Sequence, residues 1–224
     1  MQLYGIVGAG GFGREVMPLV DAMLKVNPPN TPYELVFVDE KVEQPFFLNQ
    51  YKVMSIDDFF SHPASDRFFN VTIASYIFRK KMAEIMLSRG AIPFQIKALN
   101  SLNLAFNQIA DGAILCPFTT ITANAKIGTY FHANLYSYVA HDCVIGDYVT
   151  FAPYVQCNGS VIIEDNVYVG TGVIIRQGTE KKPIIIGEGA VLGMGAVITK
   201  SVRAFETVIG NPARPLSQTT LSEN

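Results

Sequence analysis

The sequence predicts an α/β domain with a small Rossmann-like parallel sheet, followed by a parallel β-helix. Two observations predict this fold class. Apolar, strand-like runs alternate with helical stretches over about the first 93 residues, which is typical of a parallel sheet covered by helices. An aliphatic residue then returns at every sixth position over most of residues 109–198, and such a fixed short period indicates a stacked repeat fold.

The first domain is predicted to span residues 1–98. It begins with a buried strand, Leu3–Val7, which runs into a glycine loop and a helix with its apolar residues on one face. Two more apolar strands, Leu35–Val38 and Phe69–Ile73, follow, and a further helix is expected over about residues 76–89. Alternating strands and helices predict a small parallel sheet.

The β-helix is predicted to span residues 99–216, with residues 217–224 as a C-terminal tail. Three hexads make one triangular turn, so the pattern predicts about five turns with the repeated aliphatic side chain pointing inward. One interruption separates Ile175 from Ile186 by 11 positions instead of six. The extra residues are expected to leave the β-helix as a loop around residues 176–183. The periodic aliphatic positions are 109, 115, 121, 127, 139, 145, 163, 169, 175, 186, 192 and 198.

Composition excludes several classes of function. The chain has 49% hydrophobic and 16% charged residues, which is enough to build the cores of two modest domains. A net charge of −2 and a pI near 5.9 give no basic footprint for nucleic acid. No apolar stretch approaches the roughly 18 residues of a membrane-spanning helix. Three cysteines without paired spacing indicate free thiols, and a cytoplasmic protein is expected.

The glycine loop is the first candidate binding site. Gly8, Gly10 and Gly13 match the pattern GxGxxG between a strand and a helix, where glycines let a phosphate approach the backbone and the helix N-terminus. Asp39, at the end of the second strand, is placed to bind a ribose or a base. The alternative is a tight turn that packs the helix without any ligand. A dehydrogenase is disfavoured, because the domain is only half a dinucleotide-binding fold.

Histidines supply the candidate chemistry of the β-helix. His141 and Asp142 lie near a corner, and one 18-residue turn places Gly159 directly above His141, at the strand spacing of about 4.8 Å. A glycine leaves room for a thioester and offers a backbone N–H to an oxyanion. His132 and Thr150, one turn apart, form a polar ladder, or Thr150 faces the thioester as a coenzyme-binding residue. The alternative for His141 is a solvated corner residue, and the three histidines make no metal site.

Five motifs spread over nearly the whole chain occur together in one family. They are the loop GAGGFGRE (8–15), Val38-Asp39-Glu40, Ala74–Arg79, Val139–Gly146 with His141, and Gly210–Arg214. In their order, the chain is similar to sugar O/N-acyltransferases of the sialic acid O-acetyltransferase type, especially to enzymes that acetylate the amine of nucleotide-linked 4-amino-sugars. The resemblance implies a left-handed β-helix, a homotrimer, acetyl-CoA bound between neighbouring β-helices, and a nucleotide-sugar bound by the first domain.

The resemblance also implies roles for individual residues. His141 would be the general base and Asp142 its partner, and coenzyme contacts would come from Gly170, Thr171, Gly193 and Met194. Candidates for the coenzyme phosphates, or ordinary surface charges, are Lys200, Arg203 and Arg214. The candidates for binding the nucleotide-sugar are Gly10, Gly11, Phe12, Gly13, Asp39, Glu40, Ser75 and Tyr76.

The expected function is therefore acetyl-CoA-dependent N-acetylation of a nucleotide-linked amino-sugar, of the 4-amino-6-deoxy type. Two alternatives remain open at this point: O-acetylation of a sugar hydroxyl, and a non-catalytic scaffold that binds nucleotide-sugars. A trimer is also favoured by aromatic residues in the middle turns, which exceed what a narrow core holds unless some decorate the solvent face. These are Tyr130, Phe131, Tyr136, Tyr138, Tyr148, Phe151 and Tyr154.

Overall fold

The structure, a computed structural model, describes residues 1–216 of the 224-residue chain. The predicted C-terminal tail, residues 217–224, lies outside the described residues. The chain divides into two compact units, residues 1–99 and residues 100 onward. The first is an α/β unit and the second is a parallel β-helix, called the coil below.

The first unit is built on a sheet, sheet A, in the strand order β3-β4-β2-β1-β5-β6. Strand β1 lies in the middle and pairs in parallel with both β2 and β5, whereas β3 pairs antiparallel with β4 at one edge. The elements are β1 Gln2–Val7, α1 Gly11–Val26, β2 Tyr33–Val38, β3 Phe46–Leu48, β4 Tyr51–Met54, α2 Ile56–Ser61, β5 Asp66–Val71, α3 Tyr76–Ser88 and β6 Ile92–Pro93, followed by β7 Ile96–Lys97.

The sequence pattern explains why the central elements were predictable and the edge was not. Strand β1 is buried along five of its six residues, and α1 buries one face that includes Val16, Met17 and Val20. Strand β3 instead exposes Phe46 and Phe47, so no alternation of buried and exposed residues marks it. The predicted parallel sheet is confirmed for β1, β2 and β5. The antiparallel strand β3, together with β4 and α2, was missed.

The coil consists of three sheets that the chain visits in turn, and their strands are parallel except that β25 pairs antiparallel with β24. Sheet B contains β10 Ile114–Leu115, β13 His132–Ala133, β16 Thr150–Phe151, β19 Tyr168–Val169, β22 Val191–Leu192, β24 Thr207–Ile209 and β25 Arg214–Pro215. Sheet C contains β8 Leu102–Ala105, β11 Thr120–Ala123, β14 Tyr138–Val139, β17 Gln156–Cys157, β20 Ile174–Ile175 and β23 Val197–Ile198. Sheet D contains β9 Gln108–Ile109, β12 Lys126–Ile127, β15 Val144–Ile145, β18 Val161–Ile163 and β21 Ile184–Ile186.

The register of these sheets confirms the predicted repeat. Ile127 pairs with Ile145, and Ile145 with Ile163, so that each residue lies above the one 18 positions earlier. The periodic aliphatic side chains form one continuous buried core with Phe131, Phe151 and Cys157. The core aromatics are therefore not available to a partner, in contrast to Tyr136 and Tyr154, which are exposed.

Three edges join the sheets, and each is named by the sheets it connects: BC, CD and DB. The fourth residue of nearly every hexad lies at an edge with a positive φ, as in Tyr136 at 59°, Asp142 at 58° and Tyr148 at 57°. This left-handed backbone conformation turns the chain by one corner and is most easily adopted by glycine, asparagine and aspartate. Aspartate at position 142 therefore suits the corner, although tyrosine or phenylalanine occupies the same position at several other corners.

The predicted interruption occurs at edge CD, between β20 and β21. The segment between them contains a short antiparallel bridge from Thr179 to Lys182, with two backbone N–H···O bonds of 3.0 Å. Ile162, before the interruption, pairs with Ile185, after it, so the coil resumes in register once the inserted residues have been passed. The inserted residues consequently leave the stacking intact and project from one edge.

Two adjacent residues on β20 test the prediction that the periodic aliphatic side chains point into the core of the coil. Ile175 is fully buried and Ile174 is 36% exposed. Ile175→Ala should lower the free energy of unfolding by about 2–5 kcal/mol, because it leaves a cavity in the core, whereas Ile174→Ala should lower it by less than about 1 kcal/mol. Equilibrium unfolding in denaturant measures both, and equal losses would contradict the assignment.

Candidate functional site

A cavity of about 420 Å³ opens in the first unit at the carboxyl ends of β1, β2 and β5. Because β1 is flanked by β2 and β5, the chain connections diverge at this point, which is where open α/β sheets bind ligands. Five predicted residues line this cavity: Gly10, Gly11, Phe12, Asp39 and Glu40. Residues that the sequence did not indicate also line it, among them Lys41, Thr72, Ile73, Phe78 and Met82.

The glycine loop leaves its outer surface open. Gly8 has a φ of +103°, which favours glycine, and a Cβ on Gly13 would lie 2.0 Å from the Gly8 carbonyl oxygen. Gly13 therefore lets α1 approach the loop and does not itself line the cavity. A Cβ on Gly10 or Gly11 would meet no atom within 4 Å. The space above these two residues can admit a ligand phosphate at the helix N-terminus.

Carboxylates at the end of β2 flank this loop. Asp39 accepts backbone N–H bonds from Ala9 at 3.4 Å and Lys41 at 3.0 Å, so it ties the glycine loop to the end of β2. Glu40 lines the cavity and forms an ion pair of 3.2 Å with Lys81. Two other predicted residues, Ser75 and Tyr76, lie at the start of α3 and do not line the cavity.

His141 and Asp142 lie together at edge CD. The His141 Nδ1 is 2.7 Å from Asp142 Oδ2, and about half of each side chain is exposed. Since a carboxylate only accepts hydrogen bonds, Nδ1 carries the proton and Nε2 is left able to accept one. Asn124, one turn below, donates to Asp142 Oδ1 at 3.3 Å. The pair therefore presents an exposed, oriented imidazole nitrogen.

Gly159 lies directly above the His141 ring, where the 18-residue repeat predicted it. A Cβ at Gly159 would lie 2.5 Å from both Cε1 and Nε2 of His141. The Gly159 carbonyl accepts a bond of 3.0 Å from the Gly178 N–H, and within residues 1–216 the Gly159 N–H itself makes no hydrogen bond. A base and a backbone donor thus lie one turn apart on the same edge.

The hydrogen bond to His141 lowers the pKa of the Asp142 carboxyl below its usual range, and the Asn124 amide acts in the same direction more weakly. Two buried thiols lie behind this edge, with Cys143 Sγ 4.0 Å from Cys157 Sγ. All three cysteines are free thiols, as the sequence predicted. Among residues 1–216, no group of His, Cys, Asp and Glu is arranged to hold a metal ion.

The predicted phosphate ligands are brought together near the top of the coil. Lys200, Arg203 and Arg214 line one cavity of about 370 Å³, together with Glu206. Lys200 follows β23 and so lies at edge CD, above His141 and Gly159. Sheet C pairs run from Val139 through successive turns to Ile198, which places the basic cavity about 14 Å along the coil axis from His141.

The other predicted coenzyme residues lie on different parts of the coil. Gly170 and Thr171 follow β19, and Gly193 and Met194 follow β22, so all four are stacked at edge BC. The structure does not bring them to His141 within one chain.

Thr150 pairs with His132 in sheet B, as the repeat predicted, and both are buried. They form part of sheet B and not of edge CD. The predicted loop 176–183 does lie at edge CD.

Comparison with known proteins gives full-length relatives. The chain is 49% identical over 222 residues to GDP-perosamine N-acetyltransferase from Escherichia coli O157:H7, covering 99% of this chain and 100% of that protein. It is also 49% identical to WeeI from Acinetobacter baumannii AYE, whose solved structure matches with a TM-score of 0.91 over 96% of this chain and 100% of that one. No protein-family model matches the sequence.

A more distant structure shares the whole architecture. PerB from Caulobacter crescentus, solved in complex with CoA and GDP-perosamine, is 18% identical and matches with a TM-score of 0.80 over 96% of this chain and 97% of that one. The predicted fold class, an α/β domain followed by a left-handed parallel β-helix, is confirmed. Within the described part of the chain, no helix is long and apolar enough to cross a membrane.

The His141–Asp142 contact can be tested by titration. Because the folded pKa of Asp142 is depressed, the pair stabilises the fold above the usual carboxyl pKa and loses that effect as the pH falls. In His141→Ala, the pKa of Asp142 should rise toward its ordinary value. Carbon-13 NMR of the carboxyl group measures the shift. Asn124→Ala is the matched control and should raise the pKa less; an unchanged Asp142 titration in His141→Ala would contradict the contact.

Proposed function

The chain belongs to the hexapeptide-repeat family of acetyltransferases that act on nucleotide-linked amino-sugars, and from this premise we propose that its acceptor is GDP-perosamine. The reaction is N-acetylation, with acetyl-CoA as the co-substrate. The observation that carries the proposed mechanism is the stacking of Gly159 on an exposed His141 that is oriented by Asp142. The proposed acceptor is supported by the 49% identity over the full length of a GDP-perosamine N-acetyltransferase.

In the proposed mechanism, His141 Nε2 takes a proton from the sugar amine as its nitrogen attacks the acetyl carbon. Asp142 holds the imidazole in the required tautomer and stabilises its cation. The Gly159 N–H donates to the oxygen on which negative charge develops. The carbon–sulfur bond then breaks, and the proton on His141 passes to the leaving thiolate, so that the products are the acetamido-sugar and CoA.

The first unit is proposed to hold the nucleotide. The open surface above Gly10 and Gly11 suits the diphosphate, and Asp39 and Glu40 lie at the end of β2, where the ribose or the base would be bound. The exposed ring of Phe78, which lines the same cavity, offers a stacking surface for the base. Since acetyl-CoA and nucleotide-sugars are both cytoplasmic compounds, the reaction favours a cytoplasmic location.

A homotrimer is proposed because the coenzyme candidates lie on two edges of the coil. His141, Gly159 and Lys200 of the basic cavity lie on edge CD, whereas Gly170 and Gly193 lie on edge BC. One coenzyme can contact the residues of both edges only if edge CD of one copy faces edge BC of another. Three copies around an axis pair each edge CD with the edge BC of a neighbour. Edge BC also carries an exposed aromatic stack, which supports contact with a second copy: Phe118, Tyr136 and Tyr154, with centroids 4.8 and 4.9 Å apart.

Thiol release from acetyl-CoA with GDP-perosamine tests the reaction and the base together. His141→Ala should lower kcat by about 10²–10⁴-fold, because general-base catalysis is lost. His62→Gln is the control, since His62 pairs with Glu34 in the first unit and should leave turnover unchanged. Turnover that survives in His141→Ala would contradict the base assignment, and no turnover by the native chain would contradict the acceptor.

The basic cavity can be tested with a truncated coenzyme. Arg203→Gln should raise the KM for acetyl-CoA about tenfold or more, because a charge-assisted bond to phosphate is lost. It should leave the KM for acetyl-pantetheine unchanged, since that thioester lacks the nucleotide. Lys126→Gln, on a lower turn of sheet D, is the control. Equal effects of Arg203→Gln on both thioesters would contradict a phosphate contact.

A further inference from the structure

The five-residue insertion at edge CD is not needed by the coil. Removing residues 179–183 would place Ile186 six positions after Ile175 and restore the hexad Ile175-Arg-Gln-Gly-Ile-Ile. Gly178 would then fall at the fourth place, where Gly172 and Gly195 have positive φ values of 71° and 69°. Since an uninterrupted hexad would stack without it, the insertion points to a role other than folding.

The insertion forms an anchored hairpin, defined here as residues 178–183. Thr179 and Lys182 exchange two backbone hydrogen bonds, and the Lys182 N–H also lies 3.1 Å from the Thr179 hydroxyl oxygen. The Gly178 N–H donates to the carbonyl of Gly159 at 3.0 Å. The hairpin is therefore fixed to the residue whose own N–H is the proposed oxyanion donor.

A second cavity of about 420 Å³ lies between this hairpin and sheet D and begins at Asp142. Its wall on sheet D is apolar, because Val144 and Ile162 pair in register there. Val144 is 42% exposed. On the opposite side, the hairpin contributes the polar side chains of Thr179 and Glu180 and the ring of Pro183. The complete lining is Asp142, Val144, Ser160, Ile162, Thr179, Glu180 and Pro183.

The direction of the coenzyme arm follows from the order of groups along edge CD. His141 lies one turn below Gly159, the hairpin lies above Gly159, and Lys200 lies above the hairpin in the basic cavity that Arg203 also lines. If the amine is activated at His141 and the phosphates bind at the basic cavity, the arm that joins thioester to phosphates must pass the hairpin. The separation of about 14 Å is comparable to an extended pantetheine arm.

We propose that the hairpin is a clamp for the pantetheine arm of acetyl-CoA, an inference that rests on the proposed function. The arm alternates methylene groups with two amides. The methylenes match the apolar strip of Val144 and Ile162 and the ring of Pro183. The amide N–H groups require acceptors, which the Thr179 hydroxyl and the Glu180 carboxylate supply. Asp142 and Ser160, the chain neighbours of His141 and Gly159, line the same cavity, so the clamp would hold the arm beside the proposed base and oxyanion donor.

Two variants test the clamp: a deletion of residues 179–183 and Glu180→Gln. Each is assayed with acetyl-CoA and with S-acetyl-N-acetylcysteamine, which keeps the thioester and the first amide but lacks the phosphates. Both variants should raise the KM for each thioester, by about tenfold for Glu180→Gln and by more for the deletion. The KM for the sugar acceptor should not change. Lys181→Gln, the neighbouring residue outside the cavity, is the control and should leave the KM for the short thioester unchanged.

Three results would overturn the clamp. Unchanged KM values for both thioesters would exclude it, a rise confined to acetyl-CoA would assign the hairpin to the phosphates, and a rise confined to the acceptor would make the cavity a sugar site. If circular dichroism shows that the deletion variant is unfolded, the KM values of Glu180→Gln in the intact chain are judged by the same three criteria. Failure of the proposed function is distinct, because it appears as absent turnover in the native chain.

Discussion

The stacking of each residue on the one 18 positions earlier is the constraint on which the rest of the coil depends. Parallel pairing of such short strands is stable only because every turn repeats the same inward side chains and backbone bonds, and Ile127, Ile145 and Ile163 illustrate the ladder. The same repeat puts Gly159 on the ring of His141. The geometry of the proposed active site therefore follows from the register, and a slip of one turn would separate the His141 ring from the Gly159 N–H.

Asp142 belongs both to a corner of the coil and to the proposed catalytic pair. It has the left-handed backbone conformation found at nearly every corner, and its side chain also contacts His141 and Asn124. Aspartate is among the few residues other than glycine that adopt this conformation readily. The coil can thus carry a carboxylate beside His141 without distorting its turn.

The alternatives that the sequence left open are distinguished by different observations. The full-length relatives favour N-acetylation over O-acetylation and an enzyme over a scaffold. Along edge CD, the proposed base, the proposed oxyanion donor, the hairpin and Lys200 of the basic cavity follow in that order, which suits one elongated thioester donor. Edge BC carries the remaining coenzyme candidates and an exposed aromatic stack, so the complete coenzyme site is proposed to need two copies of the chain.

The sequence by itself determined the features that depend on local periodicity. It predicted the coil, the break after Ile175, the stacking of Gly159 on His141, and a glycine loop whose Gly10 and Gly11 face a cavity. Each of these follows from a spacing along the chain, because backbone geometry converts a fixed spacing into a fixed position.

Only the tertiary structure decided which distant residues share a surface. It placed Thr72 and Phe78 in the cavity of the first unit, left Ser75 and Tyr76 outside that cavity, put sheet C between Gly170 and His141, and turned the insertion toward Asp142. A sequence period gives the height of a residue along the coil, but the faces of a sheet, the direction of a hairpin and the walls of a cavity depend on packing between segments far apart in the chain.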